Sequence, residues 1–80
     1  MFMKSMTCNQ LGGACDKVFR AETFEEISEM SKKHGMKMFQ KGDKPHLKAM
    51  ENMKKQMKSP EDMNHWFEQK RKEFEALPNN

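Results

Sequence analysis

The chain has 80 residues, a formal net charge of +3, and only 11 residues of the types Leu, Ile, Val and Phe. This size excludes several domains and places the chain near the lower limit at which one apolar core is sufficient. Ten methionines are expected to supplement that core, because their unbranched side chains fill irregular gaps between helices. We predict a single small α+β domain over residues 1–80.

Residues 2–21 are predicted to form a strand and turn unit. The segments 2–8 and 16–20 carry apolar side chains on either side of Gly12-Gly13, which indicates two short strands in a hairpin-like arrangement. These apolar side chains are Phe2, Met6, Val18 and Phe19. The turn is bracketed by the two cysteines of the chain, Cys8 and Cys15.

The first of three predicted amphipathic helices spans residues 23–42. It begins at Thr23, because Thr23 and Glu26 have the spacing of a capping box. Gly35 and Gly42 both offer an end to the helix, and we favour the longer helix that ends at Gly42. The residues that recur at helical spacing are Phe24, Ile27, Met30, His34 and Met38.

The second helix is predicted over residues 44–58 and is opened by Asp43 and Pro45. One face carries an apolar stripe with lysines opposite it: His46, Leu47, Met50, Met53 and Met57. The thioethers of this stripe invite a copper(I) hypothesis, but the same spacing is what a helix needs to bury one face. Core packing is therefore the favoured explanation, with an adaptable surface for a partner as the alternative.

The third helix is predicted over residues 60–77, with Ser59 as its N-cap and Pro60 at its first position. Helices 2 and 3 together offer a surface for a homodimer or a protein partner. Basic residues are frequent in both helices, but glutamates are interspersed among them, which indicates a solvated surface and disfavours nucleic-acid binding. No apolar run is long enough to span a bilayer.

The spacing of the cysteines and His34 predicts a metal site. A strand that leaves Cys15 covers about 20 Å in six residues, and eleven helical residues from Thr23 to His34 return about 16 Å. Antiparallel packing of the strand and helix 1 would therefore bring His34 back to the level of Cys8 and Cys15. Two thiolates with one or two imidazoles form a common ligand set for zinc.

A closed zinc site needs a fourth ligand, and two residues are candidates. If helix 1 breaks at Gly35, His46 is able to fold back toward the cysteines; if helix 1 continues to Gly42, His46 begins about 10 Å beyond His34. Asp16, which directly follows the second cysteine, is the substitute for His46 as a metal ligand.

The amino terminus lacks the pattern of a secretory signal, so we expect a cytoplasmic protein with reduced cysteines. Reduced cysteines serve as metal ligands, as redox thiols, or as packed side chains. A nucleophile-base pair of cysteine and His34 lacks a third orienting group and a substrate pocket, so we expect no catalysis.

Segments along nearly the whole chain match one known pattern: Met6-Thr7-Cys8, Leu11-Gly12-Gly13-Ala14-Cys15-Asp16, Phe19, the helix opening from Thr23 to Ile27, Gly42-Asp43, His46, Trp66-Phe67 and Leu77-Pro78. The chain thereby resembles a family of small prokaryotic proteins of unknown function, catalogued as predicted small metal-binding proteins. The resemblance implies a ligand set of Cys8, Cys15 and a histidine of helix 1, here His34. Many shorter members carry a second histidine on that helix, where an ungapped comparison puts Phe39 in this chain.

The sequence thus predicts a small non-catalytic module that binds a metal ion, with zinc expected, or that binds a partner. The ligands expected are Cys8, Cys15, His34 and His46, with Asp16 as the substitute for His46. One rival is a cytosolic thiol redox protein that uses Cys8 and Cys15. The other rival is a metal-free helical interaction domain whose cysteines are merely packed.

Overall fold

A computed structural model describes residues 3–78 and confirms the α+β prediction of two strands followed by three helices. The elements in chain order are β1 (Lys4–Thr7), β2 (Val18–Ala21), α1 (Phe24–Lys41), α2 (Lys44–Gln56) and α3 (Pro60–Glu75). Phe2, which the pattern assigns to the first strand, lies outside the described residues.

The two strands pair antiparallel, with Met6 opposite Phe19. Both of these side chains are buried. Along β2, exposed side chains at positions 18 and 20 alternate with buried ones at 19 and 21, as expected for a sheet with one covered face. The strands are shorter than the predicted segments 2–8 and 16–20. Cys8 therefore lies in the turn and not in β1, because the chain bends immediately after Thr7.

Helix α1 confirms the predicted start and the longer of the two predicted lengths. The Thr23 side chain accepts a hydrogen bond of 3.2 Å from the backbone N–H of Glu26 and caps the helix. Gly42 adopts a left-handed conformation with φ of 70° and ends the helix. Gly35 lies within the helix without interrupting it.

Helix α2 ends at Gln56, two residues earlier than predicted. Met57 leaves the helical conformation, and Ser59 is extended with φ of −137°. The proline at position 60 disfavours the helical region for the residue before it, and Ser59 accepts a hydrogen bond from Asp62 as the N-cap of α3. The connection between the helices is therefore longer than predicted.

Helix α3 ends at Glu75, also two residues before its predicted end. The backbone N–H of Leu77 donates to the carbonyl of Phe74 at 3.1 Å, which is a tighter turn than an α-helix. Pro78 disfavours a helical conformation for Leu77 and explains this early end.

The core lies between the sheet, the turn and α1, and α3 adds Phe74 to it. Its buried apolar members are Met6, Cys8, Leu11, Phe19, Ala21, Phe24, Ile27 and Phe74. The expectation that methionines supplement this core is wrong for residues 3–78, because Met6 is its only methionine. Within these residues no helix has both the length and the apolar character needed to cross a bilayer.

Candidate metal centre

Two cysteines and two histidines converge at one side of the core. Cys8 and Cys15 lie in the turn between the strands, His34 lies in α1, and His46 lies in the first turn of α2. Each residue contributes one ligand atom, and the four atoms all lie within 4.8 Å of one another. Cys8 and His46 are buried, whereas Cys15 and His34 are half-buried. The site is thus largely shielded from solvent.

Backbone hydrogen bonds of the turn hold the two cysteines at this place. The N–H of Cys8 donates to the carbonyl of Lys17 at 2.8 Å, and the N–H of Asn9 donates to that of Cys15 at 3.0 Å. The Cys8 carbonyl accepts a further hydrogen bond of 2.8 Å from the N–H of Gly13. A Cβ atom at position 13 would lie 2.1 Å from the Cys8 sulfur, so only glycine fits beside that thiol.

The two thiols have opposite pKa shifts. Burial raises the pKa of Cys8, and backbone hydrogen bonds from Cys15 and Ala14 oppose that shift only in part. A backbone hydrogen bond from Lys17 is the main cause that lowers the pKa of Cys15. Backbone N–H groups directed at sulfur stabilise a thiolate, which is the form that binds a metal ion.

His34 is presented as a neutral imidazole. Its Nε2 lies 3.2 Å from the Cys15 sulfur, and its ring packs edge-on against Phe19 with the ring centroids 5.7 Å apart. Burial lowers the pKa of His34, and the positive charges of His46 and Lys17 add to this effect. A neutral imidazole has a free lone pair on one nitrogen, as metal coordination requires.

His46 is oriented by Asp43, the N-cap residue of α2. One carboxylate oxygen of Asp43 accepts a hydrogen bond of 3.2 Å from the His46 backbone N–H and another from Nδ1 of its ring. Because a carboxylate only accepts, Nδ1 carries the hydrogen, and Nε2 is directed to the Cys8 sulfur at 3.6 Å. The same hydrogen bond raises the pKa of His46 and lowers that of Asp43.

The sequence reasoning missed this role of Asp43. The signal was available, because an aspartate three residues before a histidine at a helix start places both side chains on the same turn. A carboxylate that accepts from the second nitrogen of a histidine is a common partner of a metal-binding imidazole.

His46 reaches the cysteines although α1 does not break at Gly35. The assumption that a continuous helix 1 keeps His46 away from His34 is wrong, since the two ring centroids are 5.2 Å apart. The chain turns at Gly42, and α2 packs across α1 near His34, as the approach of Met50 to Gly35 indicates. Asp16, the substitute ligand, is exposed and is not a member of the cluster.

The arrangement fits the dimensions of a tetrahedral metal site. Bonds of about 2.3 Å to sulfur and 2.05 Å to nitrogen separate the sulfur and nitrogen atoms of a tetrahedral zinc site by about 3.6 Å. Two of the four sulfur–nitrogen separations in the cluster are close to this value, at 3.6 Å for Cys8 and His46 and 3.2 Å for Cys15 and His34. These two separations agree with the tetrahedral value to within about 0.4 Å.

Comparisons with protein-family models, with curated proteins and with solved structures give no match for this chain. The family resemblance described from the sequence stays a prediction. The geometry of the site is therefore the basis for the function proposed below.

Replacement of Asp43 by Asn is expected to weaken metal binding by about 10- to 100-fold, the usual effect of losing such a carboxylate partner. Asn caps a helix as well as Asp does, so α2 should form normally. Competition with a chromophoric chelator measures the affinity. Asp62→Asn is the control, because it makes the same charge change in the first turn of α3, away from the site. Equal affinities of the two variants would contradict the orienting role of Asp43.

Proposed function

We propose that this protein is a small non-catalytic module that binds one zinc ion through Cys8, Cys15, His34 and His46. The observation that carries the proposal is the convergence of these four side chains, with one ligand atom each, within 4.8 Å. The four residues come from three separate parts of the chain, and one of them is held in a defined orientation by Asp43.

Zinc is favoured by the chemistry of the donor set. Two thiolates and two imidazoles form a closed tetrahedral shell for zinc, and the two thiolate charges balance the charge of the ion. Calcium and magnesium prefer oxygen ligands, of which this cluster has none. Copper(I) binds soft ligands as well, so metal analysis has to distinguish it from zinc.

The proposed role of the ion is structural. Four protein ligands leave no open position for a substrate or a water molecule, which is the usual distinction between structural and catalytic zinc sites. The ion would join the turn to α1 and α2. His46 is the only residue that α2 buries, so this helix has little other means of attachment.

Native mass spectrometry with elemental analysis of untagged protein tests the proposal. We expect one zinc ion per chain in the parent and none in Cys8→Ser. His65→Asn is the matched control and should retain the ion, because His65 is an exposed histidine of α3 outside the cluster. An absence of metal from the parent, or its retention by Cys8→Ser, would overturn the proposal. Copper in place of zinc would overturn the choice of metal.

The rival thiol redox function predicts a different result. A redox pair would form a reversible Cys8–Cys15 disulfide in metal-free protein, with Cys15 as the attacking thiol because its pKa is lowered. Thiol titration with and without a chelator separates the two functions. If the thiols react with the titrant only after the chelator is added, the zinc site is supported. If the thiols become unreactive on oxidation and only a reductant restores them, the redox pair is supported.

Zinc affinity is expected to increase at least tenfold per unit between pH 7 and pH 8. The raised pKa of Cys8 keeps its thiol protonated in metal-free protein over this range, and zinc binding displaces that proton. Because the pKa of His46 is also raised, protons compete with zinc for its imidazole more strongly toward pH 7. Affinity therefore falls as the pH falls. Calorimetry in two buffers of different ionisation enthalpy counts the protons released, and a pH-independent affinity would contradict the prediction.

Association through helices 2 and 3 also stays a prediction. Met63 and Phe67 of α3 are 47% and 36% exposed, so this helix offers apolar area that a partner could cover. Sedimentation velocity at several concentrations is expected to show a dimer that Met63→Lys weakens. A strict monomer at all concentrations would remove the homodimer from consideration.

A further inference from the structure

A cavity of about 230 Å³ lies beside the metal centre and among all three helices. The turn, α1, α2 and α3 each contribute to its wall. The apolar side chains that form most of the wall include Leu11, Phe24, Ala49, Met53, Trp66 and Phe67. The cavity is distinct from the proposed ion site, although Cys8 and His46 contribute to both.

The polar groups around this cavity are few and unevenly placed. The ring nitrogens of His46 are directed to Asp43 and to the Cys8 sulfur, so this residue offers mainly its ring carbons to the cavity. Two serines of α1, Ser28 and Ser31, also belong to its wall. Lys32 is exposed, is the only lysine or arginine of the wall, and makes no ion pair within residues 3–78.

The volume and the wall together define the class of ligand that fits. A cavity of about 150 Å³ holds benzene, so by proportion a cavity of this size holds about nine or ten non-hydrogen atoms. Trp66, Phe67 and Phe24 present aromatic rings, and Met53 presents a thioether, which packs favourably against an aromatic ring. Lys32 is the one cationic residue of the wall, and its charge favours a ligand with one negative charge.

We propose that this cavity binds a small aromatic monocarboxylate, with the ring inside the cavity and the carboxylate paired with Lys32. The proposal goes beyond the proposed zinc function, since the ligand contacts the wall of the cavity and not the ion.

Trp66 provides the signal for the test, because it is the only tryptophan of the chain and lies in the wall of the cavity. Titration with phenylacetate is expected to change its emission in a saturable manner with one ligand per chain. A Kd on the order of 1 mM is ordinary for a ligand of ten non-hydrogen atoms. Phenylacetamide, which lacks the charge, should bind about threefold to fivefold more weakly, the usual effect of an exposed ion pair, and Lys32→Gln should remove that difference.

Two variants that fill the cavity complete the test. Ala49→Leu and Ser31→Leu place additional carbon atoms in the cavity and should each weaken phenylacetate binding at least tenfold. Ala76→Leu is the control, because Ala76 is exposed at the end of α3 outside the cavity, and it should bind like the parent. Circular dichroism establishes that each variant is folded. If neither filled variant is folded, the phenylacetate affinities of Lys32→Gln and the parent are compared, and equal affinities overturn the proposal.

The proposal is overturned if the parent gives no saturable change up to 10 Kd, at about 10 mM phenylacetate. It is also overturned if the folded filled variants bind like the parent, or if octanoate binds as tightly as phenylacetate. The metal content of the same sample separates the two proposals. Saturable binding by protein without metal supports the cavity and overturns the zinc site, whereas zinc-loaded protein without saturable binding overturns the cavity alone.

Discussion

Removal of the proposed zinc ion by a chelator is expected to abolish the cooperative thermal unfolding transition of this protein. Structural zinc in zinc-finger peptides contributes about 10–16 kcal/mol of apparent binding free energy at neutral pH. The total stability of a typical small domain is about 5–15 kcal/mol, so the ion would supply a large part of it. The core of this chain is small, with eight buried apolar residues among those described. We therefore expect that core packing alone does not keep the metal-free chain folded.

Circular dichroism at 222 nm during heating measures this effect, with the chelator alone and with the chelator followed by excess zinc. Restoration of the transition by zinc establishes that the chelator acts through the ion. Cys8→Ser should behave like chelated parent protein without any addition, and His65→Asn should behave like untreated parent. A metal-free protein that unfolds at the temperature of the zinc-loaded protein would contradict a structural role for the ion.

The order and type of the elements could be predicted from the sequence because the helix ends carry local signals. Thr23 and Ser59 cap α1 and α3, and Gly42 ends α1 in the left-handed conformation that glycine tolerates best. These signals act over a few residues and require no knowledge of the tertiary structure. The last turns of α2 and α3 carry no such signal. The prolines at 60 and 78 disfavour a helical conformation only for the residue before each of them, so they do not fix the last residue of the helix.

The approach of Cys8, Cys15 and His34 could be predicted because it depends on the lengths of a strand and a helix, which have a fixed rise per residue. The approach of His46 could not be predicted in the same manner. It depends on how α2 packs across α1 after Gly42, and that packing is decided by contacts between distant residues.

The methionines show a second limit of pattern reasoning. The stripe of α2 has the spacing of a core face, yet Met50 and Met53 are only half-buried and line a cavity. Periodicity identifies which residues share a face of a helix but not how closely another element packs against that face. The bulky side chains of Phe19, Phe24 and Phe74 occupy the core, and α2 is left at its edge.

Replacement of Gly13 by Ala is expected to lower zinc affinity at least 100-fold, whereas replacement of Gly35 by Ala should leave it unchanged. A Cβ atom at position 13 would lie 2.1 Å from the Cys8 sulfur and 3.1 Å from the Cys8 carbonyl oxygen, so the ligand itself must move. A displaced thiolate no longer meets the tetrahedral geometry that zinc requires in a closed site. At position 35 the nearest atom is the terminal methyl group of Met50 at 3.7 Å, an ordinary contact.

Chelator competition and thermal unfolding of both variants test this prediction. Gly35→Ala should raise stability by about 0.5–1 kcal/mol, because alanine favours the interior of a helix over glycine. A parent-like affinity in Gly13→Ala would contradict the placement of Cys8 in the site. Both substitutions restrict the unfolded chain in the same way, so a difference between them has its origin in the folded state. Loss of affinity in Gly13→Ala alone would therefore locate the metal ion at the Cys8 sulfur.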